Sequence, residues 1–254
     1  MIVTSFHQEG YHQYGKTFIE GFIENWKDET LIVYFEKGIP SNCPKNLRVA
    51  YINLYDADDF CKFEELLQKS DPVFRGIMSD PHNPEQQLYN FRFDVNRFFR
   101  KVYAVTDAYM NHCKDERLAW LDADIIFTQT LPANFLEKVL PAEYGIAHLN
   151  REWLYTEAGF VAFNTRHDIM ELFMILYKGV YFNGAFRYLG ELHDCYVLDF
   201  VMRQIAMPSV NLSINEKSNH PFQESVLGGY MTHLKGPERK ENGGLLETDK
   251  RKIA

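Results

Sequence analysis

Two aspartates one residue apart, Asp122 and Asp124, interrupt the apolar run WLDADIIF at 120–127. A charge this close to a core is costly unless it is paired or holds a cation. In an extended chain residues i and i+2 point to the same side. Both carboxylates can therefore reach one hard cation, directly or through water, and oxygen ligands suit Mn2+ or Mg2+. A solvated strand end with no metal is the plain alternative.

Other residues could join such a centre. His233 opens HLKGPERK, a small basic cluster in an acidic chain that ends on Arg239 and Lys240. Arg97 and Lys101 lie four apart in DVNRFFRKVYAV, so they share a helical face, with Asp94 at its head as a plain ion-pair partner or a site group. His193 and Asp194 precede a helical pattern in LHDCYVLDF. Asp caps helices well, so Asp194 reads either as a cap or as a carboxylate of the site.

The elements that must position these residues are readable from periodicity. IVTSF (2–6), TLIVYF (30–35) and RVAYINL (48–54) read as strands, and TLIVYF as a buried parallel one. Phe18, Phe22 and Trp26 recur at helical spacing, as do Val95, Phe99 and Val102. The stretch 71–90, with three prolines, reads as a loop. AEYGIAHL, GFVAFN and PSVNLSIN are later strands, IMELFMILYKG and CYVLDFVMRQI helices. Strands alternating with helices predict an α/β fold, with ligands collecting at the carboxyl ends of the strands.

Composition sets the bounds. The chain has 254 residues, 46% hydrophobic, which suits one globular domain. The expected domain spans 1–240, followed by a polar tail at 241–254. A net charge of -8 disfavours bulk attraction to nucleic acid or anionic membranes. The four cysteines form no CxxC pair and read as free thiols of a reducing compartment. No signal peptide and no membrane span is evident, so a cytoplasmic protein is expected.

Together these residues carry a resemblance. Apolar-apolar-Asp-x-Asp at a strand end resembles the DxD motif of glycosyltransferases with the GT-A fold, a Rossmann-like, mixed but mainly parallel sheet flanked by helices. EAGFVAFN (157–164) resembles the element beneath the donor sugar in that family, and HLKGPERK the His-x-x-Gly element of glycogenin-like members. The position three after Gly236 is Arg239 rather than Lys, and the aromatic residue that commonly ends the element is missing.

The resemblance implies transfer of a sugar from a nucleoside diphosphate sugar, UDP by family habit, with Mn2+ or Mg2+ held by Asp122, Asp124 and His233. It places Thr4, Ser5, Phe6 and Tyr11 near the nucleotide. Arg97, Lys101, Gly236, Arg239 and Lys240 fall at the diphosphate, and Asp94, Glu157, Ala158 and Gly159 at the donor sugar or acceptor. Asp194, with His193, falls where the family keeps a general base or a sugar-binding carboxylate. The acceptor stays open among saccharide, lipid-linked glycan, protein and modified nucleobase. Two alternatives remain. A HAD-type phosphatase would use Asp122 as nucleophile, but normally has Thr or Val where Ile126 stands and carries its motif near the N-terminus. A non-catalytic protein binding a sugar nucleotide or glycan is the other.

Overall fold

The computed structural model describes residues 1–83 and 85–234. The chain opens with β1 (Ile2–His7), a short turn of helix α1 (Gln8–Gly10) and helix α2 (Lys16–Asn25). Next come β2 (Leu31–Glu36), β3 (Val49–Asn53) and α3 (Asp58–Gln68). β4 (Arg75–Ser79), β5 (Gln87–Asp94) and the long α4 (Val95–Asp107) lead to β6 (Arg117–Leu121) and β7 (Ile125–Phe127). After α5 (Phe135–Val139) come β8 (Ile146–Arg151) and β9 (Leu154–Asn164), then α6 (Met170–Phe182) and α7 (Asp194–Gln204). β10 (Ser209–Asn211) and β11 (Met231–His233) close the described chain.

Seven strands form the main sheet in the order β10-β8-β9-β6-β1-β2-β3. β3, β2, β1 and β6 run parallel, and β9 pairs antiparallel with both β6 and β8. β10 pairs parallel with β8, so β9 alone opposes the rest. The expected mixed, mainly parallel sheet is present. β2 is buried from Leu31 to Phe35, as its unbroken apolar run requires, whereas β3 at the sheet edge is only partly covered.

Alternate residues feed two cores, one on each face, because side chains alternate across a strand. Val3, Ile32, Tyr34, Leu118 and Trp120 join one core with the apolar sides of α3, α4, α6 and α7. Ile2, Phe6, Val33, Phe35, Ala119 and Leu121 join the other, with α2 and α5. On α4 the stripe Val95, Phe99 and Val102 is fully buried, and Phe99 packs on Phe60 and Phe63 at 5.0 and 4.8 Å between ring centroids.

The stretch 71–90 departs from its expected loop. β4 and β5 form an antiparallel hairpin of their own. Only Gly76 of its strand residues is buried and the rest are exposed or half-buried, so neither face needed the apolar alternation by which strands are recognised. The expected tail at 241–254 lies outside the described residues. Among the described residues no helix is long and apolar enough to cross a membrane.

Candidate functional site

A cleft of about 660 Å3 lies along the carboxyl ends of β1 and β6, walled by residues of α4, β9 and α7. Asp122 and Asp124 sit in the turn between β6 and β7. The backbone N–H of Asp122 donates to the Gly159 carbonyl at 2.9 Å, tying the turn to β9. The indole N–H of Trp120 donates to Asp122 Oδ1 at 2.6 Å, and Lys101 Nζ reaches the same oxygen at 3.2 Å. Trp120 stands on β6 two residues before Asp122, which follows in the turn.

His233 arrives through a second small sheet. β11 pairs antiparallel with β7, setting His233 opposite Ile125, next to Asp124. Its Nε2 lies 3.1 Å from Asp124 Oδ1 and 3.7 Å from Asp122 Oδ2, and its Nδ1 lies 3.5 Å from Glu157 Oε1. The side chain is buried, and Nδ1 makes no hydrogen bond. Burial pulls the imidazole pKa down, but the Asp124 hydrogen bond and the charges of Asp124, Asp122 and Glu157 outweigh it and hold the pKa raised.

Ligand atoms of Asp122, Asp124 and His233 all lie within 4.8 Å of one another. Two carboxylates and an imidazole are a donor set for a divalent ion of the Mg2+ or Mn2+ type. The surrounding charge agrees, because three carboxylates converge on one imidazole here. These three residues fit a metal centre.

Gly159 owes its identity to His233. A Cβ at Gly159 would lie 2.7 and 2.8 Å from two atoms of the imidazole ring. The imidazole closes on this backbone, while Gly159 also lines the cleft. Gly159→Ala should therefore displace His233, and titration calorimetry with Mn2+ should show weakened binding with the fold intact by circular dichroism.

Lys101, expected at the diphosphate, lines the cleft but is engaged by the protein itself. Its side chain is 11% exposed, and its ammonium contacts Asp122, Asp194 Oδ2 at 2.8 Å and the Ala158 carbonyl at 2.5 Å. Three contacts occupy its three protons, and the Trp120 ring lies 4.8 Å away. A phosphate would have to displace one of them. Arg97, one turn earlier, is exposed and lines the cleft.

Asp194 is the first residue of α7, while the cap is His193, whose Nδ1 accepts from the Tyr196 N–H. His193 Nε2 lies 2.7 Å from Glu191. Both imidazole nitrogens are thus engaged. Burial raises the Asp194 pKa, but Lys101, through charge and hydrogen bond, overrides it and holds the carboxyl below its ordinary value. His193, Asp194 and Cys195 also cluster as possible ligands, yet Lys101 already serves Asp194 and burial pushes the Cys195 thiol far up.

Asp94 caps α4, accepting from the Arg97 N–H at 3.1 Å and from the Tyr89 hydroxyl at 2.7 Å. No ion pair links it to Arg97 or Lys101 among the described residues. Asp94→Ala should cost about 1 kcal/mol in a urea melt, and Asp94→Asn much less. A loss above about 2 kcal/mol for Asp94→Asn would show that the charge, not the cap, matters.

Ser5 and Phe6 line the cleft, but Thr4 is buried beneath it. Tyr11 is also buried, its hydroxyl donating to the Asn42 carbonyl, so it cannot stack on a nucleotide. Tyr14 lines the cleft instead, its pKa pushed up to about 12 by burial and then by Asp124 and Asp122. Glu157, Ala158 and Gly159 are all in the wall. Gly236, Arg239 and Lys240 lie outside the described residues. Arg100, which sequence reasoning passed over, also lines the cleft but is held by Glu36 and Glu64.

The mixed, mainly parallel seven-stranded sheet flanked by helices matches the GT-A glycosyltransferase fold. The galactosyltransferase LgtC, solved with donor and acceptor sugar analogues, aligns over 93% of this chain and 87% of its own, with TM-score 0.51 and 11% identity. WbbM, a bifunctional glycosyltransferase, aligns over 93% of this chain at TM-score 0.51 and 12% identity. The chain spans 45% of WbbM. Mouse xyloside xylosyltransferase 1 aligns over 84% of each chain, with TM-score 0.46 and 10% identity. No protein-family model matches the chain, and no curated protein matches it in sequence. At these identities the likeness to LgtC and WbbM establishes the fold alone.

Proposed function

We propose that the protein is a glycosyltransferase that moves a sugar from a nucleoside diphosphate sugar, UDP by the habit of the resembled family, to a hydroxyl acceptor. The observation that carries this reading is the Asp122, Asp124 and His233 cluster in the wall of the cleft of a GT-A fold. Those three residues would hold Mn2+ or Mg2+. When bound, the ion supplies Lewis-acid stabilisation to the leaving diphosphate.

The chain's own groups complete the site. Ser5, Phe6 and Tyr14 line the β1 side, where the nucleotide is placed. Arg97 faces the diphosphate with a guanidinium suited to bidentate contact with phosphate oxygens. Asp194, held ionised by Lys101, makes a weak base, because a general base works best with a pKa near the operating pH. Its assigned task is to face the positive charge that develops on the sugar as the leaving bond breaks. His193 positions that carboxylate through the start of α7. The phosphatase reading has less support, since Trp120 and Lys101 already occupy one oxygen of Asp122.

Thermal-shift measurements with UDP, GDP, CDP and ADP, each with Mn2+ or EDTA, test the donor. A nucleotide at a hundred times its dissociation constant should add about 2.7 kcal/mol of stability. The expected result is a rise in melting temperature for one nucleotide, abolished by EDTA. A flat response to all four would remove the reading.

A further inference from the structure

A second cleft, about 530 Å3, opens beside the first and shares Arg97, Phe98, Glu157, Asp194 and Cys195 with it. The two clefts meet at Asp194, which lines both. Its apolar wall comes from Phe91 on β5, Phe98 on α4, and Leu154 and Tyr155 on β9. Phe91 and Leu154 are 49% and 53% exposed, so their faces stand ready for a ring.

The charges divide by depth. The side chains of Glu157, Glu191 and Asp194 are 8, 18 and 9% exposed. Each is engaged, Glu157 with His233, Glu191 with Arg92 and His193, Asp194 with Lys101. Arg92, by contrast, is 52% exposed, and Arg97 is exposed beside it. Burial and the Glu191 charge push the Tyr155 hydroxyl up, while Arg92 and Arg203 act on it in the opposite sense. An incoming molecule therefore meets arginines and aromatic faces, in a chain whose net charge is -8. An ion pair as exposed as Arg92–Glu191 is worth little, so Arg92 can turn to an anion that offers two oxygens.

We propose that the second cleft binds an acceptor with a ring that stacks on Phe91 and Tyr155 and a phosphate that Arg92 and Arg97 hold. This rests on the transferase reading. A glycosyl phosphate and a nucleotide both present that chemistry.

Ligand-observed NMR on the full chain tests it, with diamagnetic Mg2+ and UDP added in excess to fill the donor cleft. The probes are glucose 1-phosphate, thymidine monophosphate and methyl glucoside. At least one phosphate probe should bind about tenfold more tightly than the neutral glucoside, and Arg92→Ala should remove that advantage. Phe91→Ala should weaken every probe that binds. Neither residue lines the donor cleft, so the melting shift with Mn2+ and UDP should be unchanged in both variants. Which phosphate probe binds decides between the two sources. Equal binding of the glucoside, or an Arg92→Ala variant that keeps the phosphate preference, overturns the proposal. Absence of a Mn2+–nucleotide melting shift would instead strike the donor reading, while the phosphate preference is still measured on the free protein.

Discussion

Asp124→Asn is expected to lower kcat/KM for sugar transfer on the order of a thousandfold and to erase the Mn2+-dependent melting shift. Asp124 is buried to 9% exposure, and the Nε2 of His233 is 3.1 Å from its Oδ1. An asparagine keeps the shape and one acceptor oxygen but loses the charge that would draw a divalent ion to this end of β6. Fold should survive, because the change also removes one of three mutually repelling carboxylates. Asp122→Asn should be milder in metal affinity. One oxygen of Asp122 is already spent on Trp120 and Lys101, and an amide oxygen can still accept from both. Turnover and nucleotide shift together separate the outcomes. An Asp124→Asn protein that retains both would show that the cluster holds no ion.

Why Asp122 and Asp124 were legible and Lys101 was not is a matter of range. Two charges in an apolar strand violate a local rule, and local violations mark function. β2 and α4 were legible for the same reason, since an unbroken apolar run and a helical stripe are local patterns. Lys101 broke no such rule. On sequence it sits one turn from Arg97 on a face apart from the core stripe, and both look like solvent-facing cations. Its burial is created only when α4 meets β9 and α7, which bring Ala158 and Asp194 to its ammonium. Tyr11 and Tyr14 differ likewise. Both stand in one aromatic loop, and the helical turn Tyr11–Gly15 alone decides that Tyr11 points into the core and Tyr14 into the cleft. His233 was found by its motif, but its proximity to Asp124 depends on the pairing of β11 with β7.

Lys101→Met is therefore expected to be the most damaging substitution to the fold itself. It leaves Asp194 buried without its lysine counter-ion and takes a donor from Asp122. Removing one partner of a buried pair costs about 3–5 kcal/mol. The pH dependence should also invert. In the native chain the Asp194 pKa is held below its unfolded value by Lys101. The stability from that pairing is present above the unfolded carboxylate pKa and is lost as pH falls through the folded one. In Lys101→Met the two largest opposing effects are gone, and desolvation, weighed only against the His193 charge and the Cys195 backbone hydrogen bond, should raise the Asp194 pKa. The variant should then gain stability relative to the native chain as pH falls toward the raised value, because the buried carboxyl takes up a proton. Urea melts from pH 7 to pH 5 measure the crossover. Lys101→Met with Asp194→Asn should recover most of the loss at neutral pH, since a neutral amide needs no counter-ion, but sugar transfer should not return with it. A double variant no more stable than Lys101→Met would place the cost at Asp122 instead, and the ion pair to α7 would be incidental to the fold.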